Sequence, residues 1–160
     1  METPSSPAVF KFTSSRPGMS CTAFSPVFKL LASLVSGACA IAFIQGWTMG
    51  IAADGGFASS LWYLGALLAI AYTWWKMISS RTEIRATSLH QSWIWDKQVP
   101  IAELAYGKIV RVRRLEWLVV PRLYVRTESG KFAVFYAAAP EMVKEFERLL
   151  AELAGFRGTR

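Results

Sequence analysis

Two long stretches without a charged side chain, separated by one carboxylate, constrain this chain more than anything else in it. Leu30 to Ala53 spans 24 residues and Gly55 to Trp75 spans 21, and Asp54 is the only charged side chain between Lys29 and Lys76. A helix rises about 1.5 Å per residue and the hydrocarbon core of a bilayer is about 30 Å thick, so roughly 20 residues cross it. Both stretches meet that length. The first is interrupted only by Ser33, Ser36, Gln45 and Thr48, too scattered to build the polar face of a soluble amphipathic helix. The sequence therefore predicts a membrane hairpin over 29–78, with spans at about 30–53 and 57–76.

Asp54-Gly55-Gly56 reads as the turn of that hairpin, because Asp caps turns and Gly accepts backbone angles other residues avoid. Lys11, Arg16 and Lys29 precede the first span, Lys76, Arg81 and Arg85 follow the second, and the tip carries neither Lys nor Arg. Positive charge collects on the cytoplasmic side, so both termini are expected in the cytoplasm, with Asp54 on the far side. Trp47, Trp62, Tyr63, Trp74 and Trp75 suit interfacial aromatic belts. Small residues recur every four positions, at Ala42, Gly46 and Gly50 and again at Gly65, Ala69 and Thr73. Such a stripe lets helices approach closely, either within the hairpin or between copies.

The first 28 residues are rich in Ser and Pro and predict a disordered cytoplasmic tail. A cleaved signal peptide fits poorly, since the apolar run begins late and is long. Cys21 and Cys39 have no metal-ligand companion and no disulfide spacing.

From about residue 80 the pattern changes to short alternating runs. "TEIRATSLHQSWIW" (82–95) predicts one or two strands, and "VPIAEL" a connection. "KIVRVRR" (108–114) sets Val110 and Val112 against Arg111 and Arg113, and "RLYVRT" (122–127) sets Leu123 and Val125 against Arg122, Tyr124 and Arg126. Glu128-Ser129-Gly130 turns into "KFAVFY". Pro140 then opens a helix whose stripe is Met142, Phe146, Leu149, Leu150 and Leu153. The expectation is an α+β, mostly antiparallel unit over 80–155 closed by a C-terminal helix.

Strands, the "VPIAEL" connector, "KIVRVRRLEWLVVPRLYVRTESGKFAVFY" and a terminal helix resemble the bacterial pleckstrin-homology-like domain family across residues 81–154. The preceding hairpin extends the likeness to about residue 29. The resemblance implies a barrel or sandwich that binds lipids or proteins and is not a catalyst. It transfers no site residue.

The residues themselves point the same way. His90 is the only histidine, and no nucleophile, base or metal-ligand constellation appears, so neither enzyme activity nor a cofactor is expected. Residues 76–160 hold 15 Lys or Arg against 9 Asp or Glu, a net of +6. Arg111, Arg113, Arg122 and Arg126 are expected on the outward face of two neighbouring strands. They would meet either anionic lipid head groups, at about 1 kcal/mol each, or water alone. Nucleic acid is not expected, since no binding motif accompanies them. Between those strands "LEWLVVP" (115–121) places Trp117 and Leu118 either at an exposed tip that meets membrane or partner, or in the core. The functional expectation is a membrane-anchored interaction module contacting the bilayer, other membrane proteins or itself. The alternative is an accessory subunit of a larger membrane complex.

Overall fold

A computed structural model of the chain describes residues 9–16, 18–49 and 56–158, with side chains throughout these except 56–60. Ser25 is extended (φ −66°, ψ 153°), its Oγ accepts the Phe28 N–H at 3.1 Å, and Pro26 follows in the first turn. That cap and the proline define the start of helix α1 (Pro26–Thr48), none of whose residues is buried. Helix α2 (Gly56–Ser79) lies alongside in the opposite direction. Lys29 Nζ donates to the Ile78 carbonyl at 2.9 Å, Trp74 Nε1 donates to Ser33 Oγ at 2.9 Å, and the Phe43 and Tyr63 rings meet at 6.5 Å.

The expected hairpin of two spans needs correction. Among the described residues only α1 is long and apolar enough to cross a membrane. The span expected over 57–76 takes in Lys76, a charge in the last turn of α2. The turn residues Asp54 and Gly55, and Gly50 of the small-residue stripe, lie outside the described residues, and Gly56 is the first residue of α2.

The rest of the chain builds two antiparallel sheets. The first has the order β1 (Ser20–Thr22), β2 (Arg81–Ile84), β3 (Ser88–Ser92), β4 (Lys97–Pro100). A 3₁₀ turn, Ile101–Glu103, leads to the second, ordered β5 (Leu104–Val110), β6 (Arg122–Thr127), β7 (Phe132–Tyr136). The β6–β7 turn depends on Gly130, at φ +82°. Helix α3 (Pro140–Gly158) packs Met142, Phe146, Leu149 and Leu153 into a core shared with Ile84, Leu89, Leu104, Leu123 and Phe135. Gly107 allows α3 to come close to β5, for a Cβ there would collide with Leu150.

The sheets do not close into the expected barrel. Where a closing strand would lie, side chains take its place. β7 is an edge strand, and its Tyr136 turns N–H and C=O away from β6. The N–H donates to Gln91 Oε1 at 3.3 Å and the C=O accepts from Thr82 Oγ1 at 2.6 Å. Both side chains are fully buried, at 0 % exposure, so the edge is satisfied without another backbone ladder.

The expected disordered tail over 1–28 also needs correction from residue 9 onward. Phe10 and Phe12 are 5 % and 3 % exposed in the shared core, and β1 pairs with β2 in the register Cys21↔Thr82. The segment is strapped to α3. Arg16 pairs with Glu141 at 3.2 Å, the buried Glu145 accepts hydrogen bonds from Ser14 and Ser15, and the Arg148 guanidinium covers the Phe12 ring at 4.9 Å. Burying the two aromatic rings contributes about 1.5–3 kcal/mol each, beside the strand pairing and the contacts to α3.

Candidate functional site

The edge of the body nearest the helices is built from three segments. Ser25, which caps α1, also donates its Oγ proton to the Leu118 carbonyl at 3.0 Å, fixing the β5–β6 connection to the start of α1. Ser80 follows α2 directly, and its Oγ donates to the Ser92 carbonyl at 2.5 Å, which brings the turn after β3 to the same edge. Phe24 links the two: its ring lies 5.3 Å from Phe28 of α1, 5.8 Å from Trp93 and 5.7 Å from Tyr136.

The β5–β6 connection is a loop rather than a continued strand. β5 stops at Val110, opposite Arg122. Pro121 precedes β6, and its carbonyl accepts from the Ala137 N–H at 3.2 Å on the β7 side. The chain coils instead, with Leu115 N–H bonded to the Val112 carbonyl at 2.8 Å and Leu118 N–H to the Leu115 carbonyl at 3.0 Å. Val112 therefore does not enter the core; it is exposed, as are Arg113, Arg114, Leu115 and Glu116. Trp117 is 58 % exposed at the tip, and Leu118 is half-buried behind it. Across the edge Trp95 is 77 % exposed in the turn after β3.

The four arginines do not form one face, contrary to the sequence expectation. Arg111 pairs with Glu147 of α3, and Arg113 stands on the loop. Arg122 and Arg126 do point outward from β6, whose Leu123, Val125 and Thr127 are buried. Each lies over the ring opposite it on β7, Arg122 over Tyr136 at 5.5 Å and Arg126 over Phe132 at 5.3 Å. Four residues of strand separate them, about 13 Å, so Arg126 sits at the end of β6 away from the helices.

The small-residue stripe is not a tight helix contact. A Cβ at Gly46 or Gly65 would meet nothing within 4 Å. Ala42 is exposed, and Ala69 lines a groove between the two helices instead. His90 is half-buried on β3, opposite Glu83 and Gln98. Among the described residues no group of three His, Cys, Asp or Glu is placed to hold a metal. Burial pushes the Cys21 thiol above its ordinary pKa, against smaller opposing effects from the backbone at Ala139 and Ala138.

Sequence reasoning missed Phe24, Trp93 and Tyr136, which line a pocket together at this edge. Two signals were available: Ser25-Pro26 is a helix-start pair, and "VFKF" alternates as an extended buried segment does. No protein-family model, curated protein or solved structure matches the chain.

Proposed function

We propose that the protein is a non-catalytic, membrane-anchored interaction module, held by α1, with its body on the cytoplasmic face of the membrane. The observation that carries this reading is the Ser25 bridge. One side chain both caps the apolar helix and binds the loop that bears Trp117, so an exposed tryptophan and two arginines, Arg113 and Arg114, stand level with the start of the anchor. Tryptophan favours the membrane interface, and Lys or Arg there gains about 1 kcal/mol from an anionic leaflet. Trp95 supports the same reading from the other side of the edge. Lys29 and Lys76 lie where these helices meet the body, and a cytoplasmic body satisfies the positive-inside bias.

Cysteine accessibility in intact cells tests it. In a background with Cys21 and Cys39 replaced by Ser, Ser129→Cys is expected to resist an impermeant thiol reagent and to react once the membrane is opened. Reaction in intact cells would place the body outside and overturn the orientation. Resistance of the chain to alkaline carbonate extraction is expected from the anchor; release into the supernatant would overturn the anchor itself.

A further inference from the structure

We propose that the helix-proximal edge binds one anionic phospholipid, with its phosphate on Arg122 and Trp93 and one acyl chain in the groove between α1 and α2. This rests on α1 being a membrane anchor.

Two adjoining cavities carry the inference. The first, of about 240 Å³, is walled by Phe24, Trp93, Arg122 and Tyr136. The second, of about 540 Å³, runs between the helices along Leu31, Val35, Ala69 and Ile70. Phe28, Met77 and Leu118 line both, so the pocket beside Arg122 opens into the apolar groove.

Two side chains that line the pocket each carry a donor with nothing to donate to. Arg122 Nε and Trp93 Nε1 are both buried and lack a hydrogen-bond partner. Buried donors are nearly always satisfied, and an unsatisfied pair in one pocket calls for a ligand that accepts. Arg122 also has no carboxylate partner among the described residues, whereas Arg16, Arg111, Arg148 and Arg157 each have one. The Tyr136 ring under the guanidinium holds its plane, and planar guanidinium is suited to two-point contact with phosphate. Lys97, with Nζ 5.5 Å from the Trp93 ring centre, adds a second cation beside the pocket.

The groove decides between a lipid and a soluble phosphate. Its walls are almost wholly aliphatic and aromatic, and it begins where the donors end. A free phosphate leaves it empty, whereas a phospholipid fills it with a chain that also has to leave water.

The test uses the full chain in nanodiscs of phosphatidylcholine with a minority of phosphatidylglycerol, released into native mass spectrometry. One retained phosphatidylglycerol is expected on the wild type. Arg122→Gln and Trp93→Phe should each lower the retained fraction about tenfold, the effect of losing one hydrogen bond to a charged group. Ala69→Phe, which narrows the groove, should also lower it, and Arg126→Gln should leave it unchanged. Glycerol 3-phosphate in excess should not displace the lipid. Melting temperatures of the variants identify loss of fold, and Trp93→Phe keeps the test open where Arg122→Gln melts early. The proposal is overturned by retention no better than that of phosphatidylcholine, or by folded Arg122→Gln and Trp93→Phe variants that retain lipid normally. It is equally overturned by an Arg126→Gln loss matching that of Arg122→Gln, or by displacement with glycerol 3-phosphate. A chain that resists carbonate extraction yet retains no lipid loses only this site; a chain that is extracted loses the anchor as well.

Discussion

Thr82 Oγ1 donates to the Tyr136 carbonyl at 2.6 Å, and through that bond β2 of the first sheet caps the open edge of β7 in the second. The threonine is fully buried, so neither group can turn to water. Thr82→Val keeps the shape and removes the donor, leaving the carbonyl unpaired. A loss of about 1–3 kcal/mol is expected, measured by thermal or denaturant unfolding of the purified chain. An unchanged stability would mean that the carbonyl finds another donor and that the sheets are joined by packing alone.

Phe12 tests the N-terminal strap. Phe12→Ala is expected to cost about 3–5 kcal/mol, the range for deleting a buried aromatic ring. A fragment beginning at residue 80 loses β1, Phe10 and Phe12 together and is expected to give broad, non-cooperative unfolding. A cooperative transition in that fragment would show that the strap is dispensable.

The Cys21 thiol offers a pH measurement. Its pKa is raised by burial, so at a given pH less of it is thiolate, and alkylation should be slower than for a free thiol. In a Cys39→Ser background the pH–rate midpoint should lie above the ordinary cysteine value. By linkage, the group contributes stability below its unfolded pKa, and that contribution is lost as pH rises through the raised folded value. A midpoint at or below the ordinary value would contradict the burial of β1.

Trp117 separates stability from membrane contact. Being largely exposed, its replacement by Ala should move stability by no more than about 0.5 kcal/mol. A nitroxide on Trp117→Cys, in the cysteine-free background, is expected to collide more with dissolved oxygen than with a water-soluble nickel complex. A label on Ser129→Cys should show the reverse. Equal nickel access at both positions would remove the loop from the membrane surface.

Local pattern was legible where it followed one rule. β6 and β7 begin and end within a residue of the alternating runs "RLYVRT" and "KFAVFY", and Pro140 opens α3 as its position implied. Errors arose where two signals competed. "KIVRVRR" alternates past Val110, yet β5 stops there because the chain from Val112 coils through local backbone bonds, and Arg111 turns to Glu147 instead of joining Arg122. Residues 1–28 looked like a tail because Ser and Pro are frequent among them, while two phenylalanines and one short strand decide the position of residues 9–16 and 18–25. The pocket of Phe24, Trp93, Arg122 and Tyr136 joins residues more than a hundred positions apart, a separation that no local period reports. The span expected over 57–76 likewise took in the charged Lys76 within the last turn of α2.

The strap has a consequence for the order in which the protein is made. Phe10, Phe12 and β1 leave the ribosome before α1, but β2, β6, β7 and α3, against which they pack, come after α2. At about 5–20 residues per second, two aromatic rings wait roughly ten seconds for their partners while both long helices are made. The body therefore completes itself only after both long helices have been made. Folding of the last helix then closes a core whose first strand was made before either long helix.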